Sequence, residues 1–108
     1  MQIDYQFYDR DGCQLNMTEW VSLFENRSYR LVKKETIGNY FIITQWVGID
    51  FCDCTQEPIE VFETMVFNEF DPDWHRFKHK WKNDAEAREG HDDICRMIKE
   101  KIAHEDDA

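Results

Sequence analysis

Tyr29–Ile37 (YRLVKKETI), Gly38-Asn39 and Tyr40–Ile49 (YFIITQWVGI) form one continuous stretch in which two β-rich runs flank a two-residue link. Gly-Asn supplies the positive-φ chemistry that a tight hairpin turn needs. Residues 29–37 and 40–49 are therefore predicted to pair as antiparallel strands. Ile59–Phe67 (IEVFETMVF) is β-branched and aromatic and follows Pro58, which suits a third strand of the same sheet. Residues 74–81 (WHRFKHKW) can add an edge strand. In that segment Trp74, Arg76, Lys78, Lys80 and Lys82 would share one face, and His75, Phe77, His79 and Trp81 the other. Edge lysines also discourage sheet-to-sheet aggregation. The expected sheet is an antiparallel meander.

Working outward, Ile3, Tyr5 and Phe7 alternate through residues 2–8 as a further strand, which Asp9-Arg10-Asp11-Gly12 ends in a turn. Thr18 is placed to cap a short helix whose apolar face is Trp20, Val21, Leu23 and Phe24, ending near Asn26. Asn83-Asp84-Ala85-Glu86 has the form of a capping box. Beyond it His91, Ile94, Cys95, Ile98 and Ile102 recur at helical spacing, before Glu100 to Ala108 fades into a charged tail, frayed over 103–108. The fold class that follows is α+β: one domain over residues 1–108, with an antiparallel sheet of four to five strands and two helices.

The chain of 108 residues is 42% hydrophobic and 33% charged, with a formal charge of −10. That profile is folded and soluble. The charge is uneven: residues 36–75 hold eight acids (Asp50, Asp53, Glu57, Glu60, Glu63, Glu69, Asp71, Asp73) and no Lys or Arg. Such a polyanion repels nucleic acid and attracts basic protein grooves, so these acids are the candidate partner-binding residues. The plain alternative is that acidity only maintains solubility. Short apolar runs and a start without a basic n-region argue against a membrane span or signal peptide, and the expected location is intracellular.

Four cysteines in such a setting are not expected to form disulfides. Cys52-Asp53-Cys54 places two thiols one residue apart, and His91 and Cys95 lie at i and i+4 on the inward face of a helix. Three sulfurs and one imidazole would close a tetrahedral shell, which suits a structural Zn²⁺ held by Cys52, Cys54, His91 and Cys95. Simple burial is the competing reading, since free cysteines are among the most buried residues. Cys13, far from both halves, is read as core. No Gly-rich phosphate loop, nucleophile elbow or HExxH helix is present, and an acid–base pair such as Glu60 and Glu63 would straddle a strand. The expectation is a non-enzymatic protein.

Read together, Tyr8-Asp-Arg-Asp-Gly12, Thr18-Glu-Trp20, Leu23-Phe24-Glu25, Tyr29-Arg30, Val47-Gly-Ile-Asp50, Phe62-Glu-Thr-Met-Val-Phe67, Glu86-Ala87 and Gly90-His91 resemble a family of short proteins encoded by bacteriophages and prophages. The likeness spans nearly the whole chain, and FETMVF is its most specific part. It implies a genomic setting more than a reaction. The chain departs from the pattern at Phe51, where the family suggests a histidine, and Cys52-Asp-Cys54 stands beside that gap. In size, charge and implied origin the chain is similar to anti-CRISPR proteins acting on a type II effector nuclease. The resemblance thus implies an inhibitor that acts in the cytoplasm of a bacterial host, binds a basic host defence nuclease and blocks DNA binding or loading. The alternatives are a small metal-dependent or thiol-based phage enzyme, and a virion or regulatory protein whose acidity is incidental.

Overall fold

The computed structural model describes residues 5–51, 60–68, 70–71 and 77–106, with Tyr5, Asp50, Phe51 and residues 105–106 described by backbone alone. Along the chain run β1 (Tyr5–Tyr8), β2 (Gln14–Leu15), α1 (Met17–Phe24), α2 (Arg27–Arg30), β3 (Leu31–Ile37), β4 (Tyr40–Trp46), β5 (Ile49–Phe51), β6 (Phe62–Phe67), β7 (Phe77–Trp81) and α3 (Asp84–Asp106). The class is α+β, as expected. Among the described residues two sheets form instead of one: an antiparallel four-stranded sheet in the order β3-β4-β6-β7, and a small sheet β2-β1-β5. None of the described helices is long and apolar enough to cross a membrane.

The Gly38-Asn39 link closes the β3–β4 hairpin, with Ile37 opposite Tyr40. The second strand stops at Trp46, short of the expected Ile49, because Gly48 takes a φ of 64° and turns the chain away. A Cβ there would lie 2.3 Å from the Trp46 ring and 2.6 Å from the Tyr8 carbonyl oxygen, so only glycine fits. Trp46 Nε1 donates to Tyr8 O at 3.0 Å, and Tyr8 N donates to Gly48 O at 2.9 Å. Those bonds hand Ile49–Phe51 to β1 and start the second sheet.

Helix α1 is capped by Asn16 and not by Thr18. Glu19 N donates to Asn16 Oδ1 at 2.8 Å, while Asn16 N donates to Glu19 Oε1 at 3.1 Å, a reciprocal box that Thr18 lacks an acid to complete. Trp20, Leu23 and Phe24 pack around Trp46 and Phe62, whereas Val21 is left exposed. A four-residue helix, α2, precedes β3, which makes three helices among the described residues where two were expected. Arg10 ties this end together, its guanidinium donating to Tyr29 O and to Asp84 at the start of α3.

Asn83 caps α3 through Glu86 N, at 2.8 Å. The helix runs on to Asp106, past the point where fading was expected, because Ile98 remains fully buried and Ile102 still packs on the sheet. Ala87, Gly90, His91, Ile94, Cys95 and Ile98 make its buried stripe. Against them the sheet presents Tyr40, Ile42, Thr44 and Trp46 of β4, Phe62, Thr64 and Val66 of β6, and Phe77 and Trp81 of β7. Trp81 reaches both core clusters, and its ring fills the space where a Cβ on Gly90 would sit. Within β7 the expected split holds, with Phe77, His79 and Trp81 in register with the inward residues of β6. Trp74, His75 and Arg76 lie outside the described residues.

Candidate metal centre

A polar seam crosses this otherwise apolar interface. Trp81 Nε1 donates to Thr64 Oγ1 at 2.9 Å, the Thr64 and Thr44 hydroxyls lie 2.5 Å apart, and Thr44 Oγ1 is 2.7 Å from His91 Nδ1. All but Trp81 are fully buried. The indole can only donate, so Thr64 accepts from it. Each hydroxyl can both donate and accept, so the Thr64–Thr44 and Thr44–His91 bonds run in the direction set by the His91 tautomer. The far nitrogen, Nε2, has no hydrogen-bond partner and sits 3.9 Å from Glu35 Oε1.

Glu35 reaches this point through an irregularity in the hairpin. Leu31 pairs with Gln45, but Lys33 pairs with Thr44, so two steps on β3 match one on β4. The bulge reverses the parity of the strand. Without it Lys33, Glu35 and Ile37 would share the outer face with Leu31; with it they face α3, where Lys33 Nζ meets Asp92 Oδ1 at 2.8 Å.

Glu35, His91 and Cys95 each present a ligand atom, and the three atoms lie within 4.8 Å of one another. A tetrahedral ion with bonds of about 2.0–2.3 Å separates its donors by roughly 3.3–3.8 Å. About an ångström of closure would make the set a coordination shell. This group, with His91 and Cys95 buried and Glu35 partly exposed, can hold a metal ion. Its charge suits a divalent one, because carboxylate and thiolate together cancel two positive charges in a setting where an unbalanced ion is costly.

Without an ion the group is protonated as its surroundings dictate. Burial pushes the Cys95 thiol up to about 11, and the charge of Glu35 together with a hydrogen bond to it adds to the effect. Burial likewise holds His91 below the ordinary imidazole range, against the opposing pull of Glu35 and Asp92. Neutral imidazole is the form that ligates metals.

Of the four expected ligands, His91 and Cys95 do meet, one turn apart, with 0% and 3% exposure. Cys52 and Cys54 lie outside the described residues. Glu35 joins them unforeseen; its only signal in the sequence is an acid in a strand position flanked two residues away by Ile37. Cys13 is not core: it is exposed in the turn closed by Asp9, whose carboxylate accepts from Cys13 N.

The eight acids expected to meet a partner divide unevenly. Glu63 is only 6% exposed and faces Lys78 Nζ at 3.1 Å. Asp71 accepts from both Lys101 and Tyr40. These two carboxylates are committed within the molecule. Glu60 is half-buried, Asp50 is described by backbone alone, and Asp53, Glu57, Glu69 and Asp73 lie outside the described residues. Exposed acids appear instead on the outer side of α3, at Glu89, Asp92, Asp93 and Glu100, interspersed with Arg88, Arg96 and Lys99. No family model matches the chain, and no curated protein or solved structure does so either.

Proposed function

We propose that this protein is a non-catalytic binding protein whose terminal helix is fastened to its sheet by a structural zinc ion at Glu35, His91 and Cys95. The observation that carries this reading is the buried Nε2 of His91, which lacks a hydrogen-bond partner and faces a carboxylate and a thiol. Zinc accepts this mixture of nitrogen, sulfur and oxygen donors. With zinc bound, Nε2 would give its lone pair to the metal and Nδ1–H would donate to Thr44, so that the seam orients the ligand from behind. Cys52 or Cys54 remains available in this proposal as a fourth donor.

Elemental analysis of protein purified without added metal is the direct test. About one equivalent of zinc is expected, falling sharply in Cys95→Ser and Glu35→Gln, with chelation lowering the melting temperature of the parent and leaving both variants unmoved. A metal-free parent that neither binds added zinc nor gains stability from it would refute the proposal.

For the role itself, the charge of −10 and the phage-like sequence pattern support an inhibitor of a basic host protein, with a defence nuclease as the proposed partner. Association steered by charge is fast and weakens steeply with salt. Nuclease loading onto DNA, followed with and without the protein across a salt series, checks this. Unchanged loading at low ionic strength would end the inhibitor reading while leaving the metal proposal standing.

A further inference from the structure

The side of the four-stranded sheet turned away from α3 carries none of the described helices across its central strands. Down β4 and β6 it presents Phe41, Ile43, Met65 and Phe67, where register pairs Phe41 with Phe67 and Ile43 with Met65. Phe41 is 37% exposed and Phe67 43%. The two rings stack on each other with centroids 6.3 Å apart. Scattered exposed apolar residues need no explanation, but a contiguous stripe along the middle of a sheet marks a contact surface.

Two concavities border that stripe. One, of about 210 Å³, lies over β3 and β4 and is lined by Arg27, Arg30 and Lys34 around Leu31, Phe41 and Ile43. The other, of about 320 Å³, opens at the β6–β7 edge and is lined by Met65, Phe67 and Lys78 from this face and by Val66 and Phe77 from the face toward α3. Among the described residues no acid lines either of them, and the acid that shares this face, Glu63, is largely buried beside Lys78. The protein as a whole is strongly negative, yet this face sets cations at both edges of an apolar floor. Lys34 is exposed and has no ion pair among the described residues, while Lys78 keeps contact with Glu63.

We propose that this open face receives an acidic amphipathic helix from another protein. A helix laid on it would complete a third layer, as sheets with an uncovered apolar face require. The spacing fits: the concavities sit over strand pairs two positions apart, roughly 10 Å at one strand per 4.8 Å. Seven residues of α-helix rise about the same distance. Two large apolar side chains at i and i+7 would thus reach the β3–β4 concavity and the Met65–Phe67 rim of the second, with flanking carboxylates meeting Arg27 and Lys34 on one side and Lys78 on the other. Electrostatic matching of this kind fixes orientation. A single nucleic-acid strand suits the face less well. The Phe41 and Phe67 rings already cover each other, and a long polyanion would run into the acidic remainder of the molecule, whereas a short helix keeps its charge at the rim.

Fluorescence anisotropy with the full chain tests this, using a labelled helical peptide of about 18 residues that carries leucines seven apart between rows of glutamate. Saturable binding is expected, weakened on the order of tenfold by Lys34→Glu and by Phe67→Ser, two exposed positions whose variants should keep the parent's melting temperature. A lysine version of the peptide should bind Lys34→Glu better than it binds the parent. The proposal is overturned if the glutamate peptide fails to bind at millimolar concentration, if binding ignores both variants, if an oligothymidine of similar length displaces the peptide, or if the face is occupied by a second copy in a dimer.

Discussion

The two faces of the four-stranded sheet are built from the same strands with opposite consequences. The face toward α3 is sealed, with Ile42, Trp46, Phe62 and Val66 at 0% exposure and a hydrogen-bonded seam of Trp81, Thr64, Thr44 and His91 among them. The outer face has side chains as apolar as those of a core, yet Phe41 and Phe67 remain open to solvent. Apolar alternation therefore does not by itself distinguish a core from a docking surface. What distinguishes them is the helix on one side and the fringe of cations on the other.

The largest effect that would sharpen this contrast is expected from Trp46→Ala. Removing a fully buried indole and its bond to Tyr8 should cost about 3–5 kcal/mol, read from denaturant midpoints. If the loss falls below about 1 kcal/mol, the sealed face is looser than its burial implies. Next comes the seam: Thr44→Val keeps the volume but leaves His91 Nδ1 unpaired, with an expected loss of about 1–3 kcal/mol. Val at both Thr44 and Thr64 should show non-additivity, because the two hydroxyls share one chain of bonds.

A smaller effect concerns the seating of α3. Burial raises the Asp84 carboxyl somewhat, but hydrogen bonds from Arg88 and Arg10, with their charges, outweigh it and hold the group below the usual carboxylate range. A depressed folded-state value means that the stabilisation is present above the unfolded value and is lost as pH falls through the folded one. Asp84→Asn should therefore flatten the acid limb of the stability curve below about pH 4, by well under 1 kcal/mol, since the side chain is 39% exposed and the pairs are screened by solvent. An unchanged acid limb would show that the Arg10 link between the two sheets' ends adds nothing. The smallest effect is expected on the outer face, where Phe67→Ser should shift stability by no more than about 0.5 kcal/mol; a loss of 2 kcal/mol or more would mean that this face is already part of the core.

Much of the framework could be read from residue order. The Gly38-Asn39 turn, the FETMVF strand and the helix stripe from His91 through Ile102 each express a local preference or a period that the chain carries everywhere it goes. Asn16 was less visible than Thr18 because both are good caps, and only the reciprocal bond with Glu19 separates them. The end of β4 is hidden in the sequence for a similar reason: Val47-Gly48-Ile49 continues an apolar run, and what ends the strand is the Trp46 indole lying where a side chain on residue 48 would be.

Sequence alone determined which side chains share the inner face of α3, because 3.6 residues per turn places His91 under Cys95 whatever the rest of the protein does. It could not determine that Glu35 would face them. That depended on one extra residue in β3, a bulge that turns every following side chain to the opposite face of the sheet, and a bulge is settled by pairing with the neighbouring strand, not by anything the strand carries on its own.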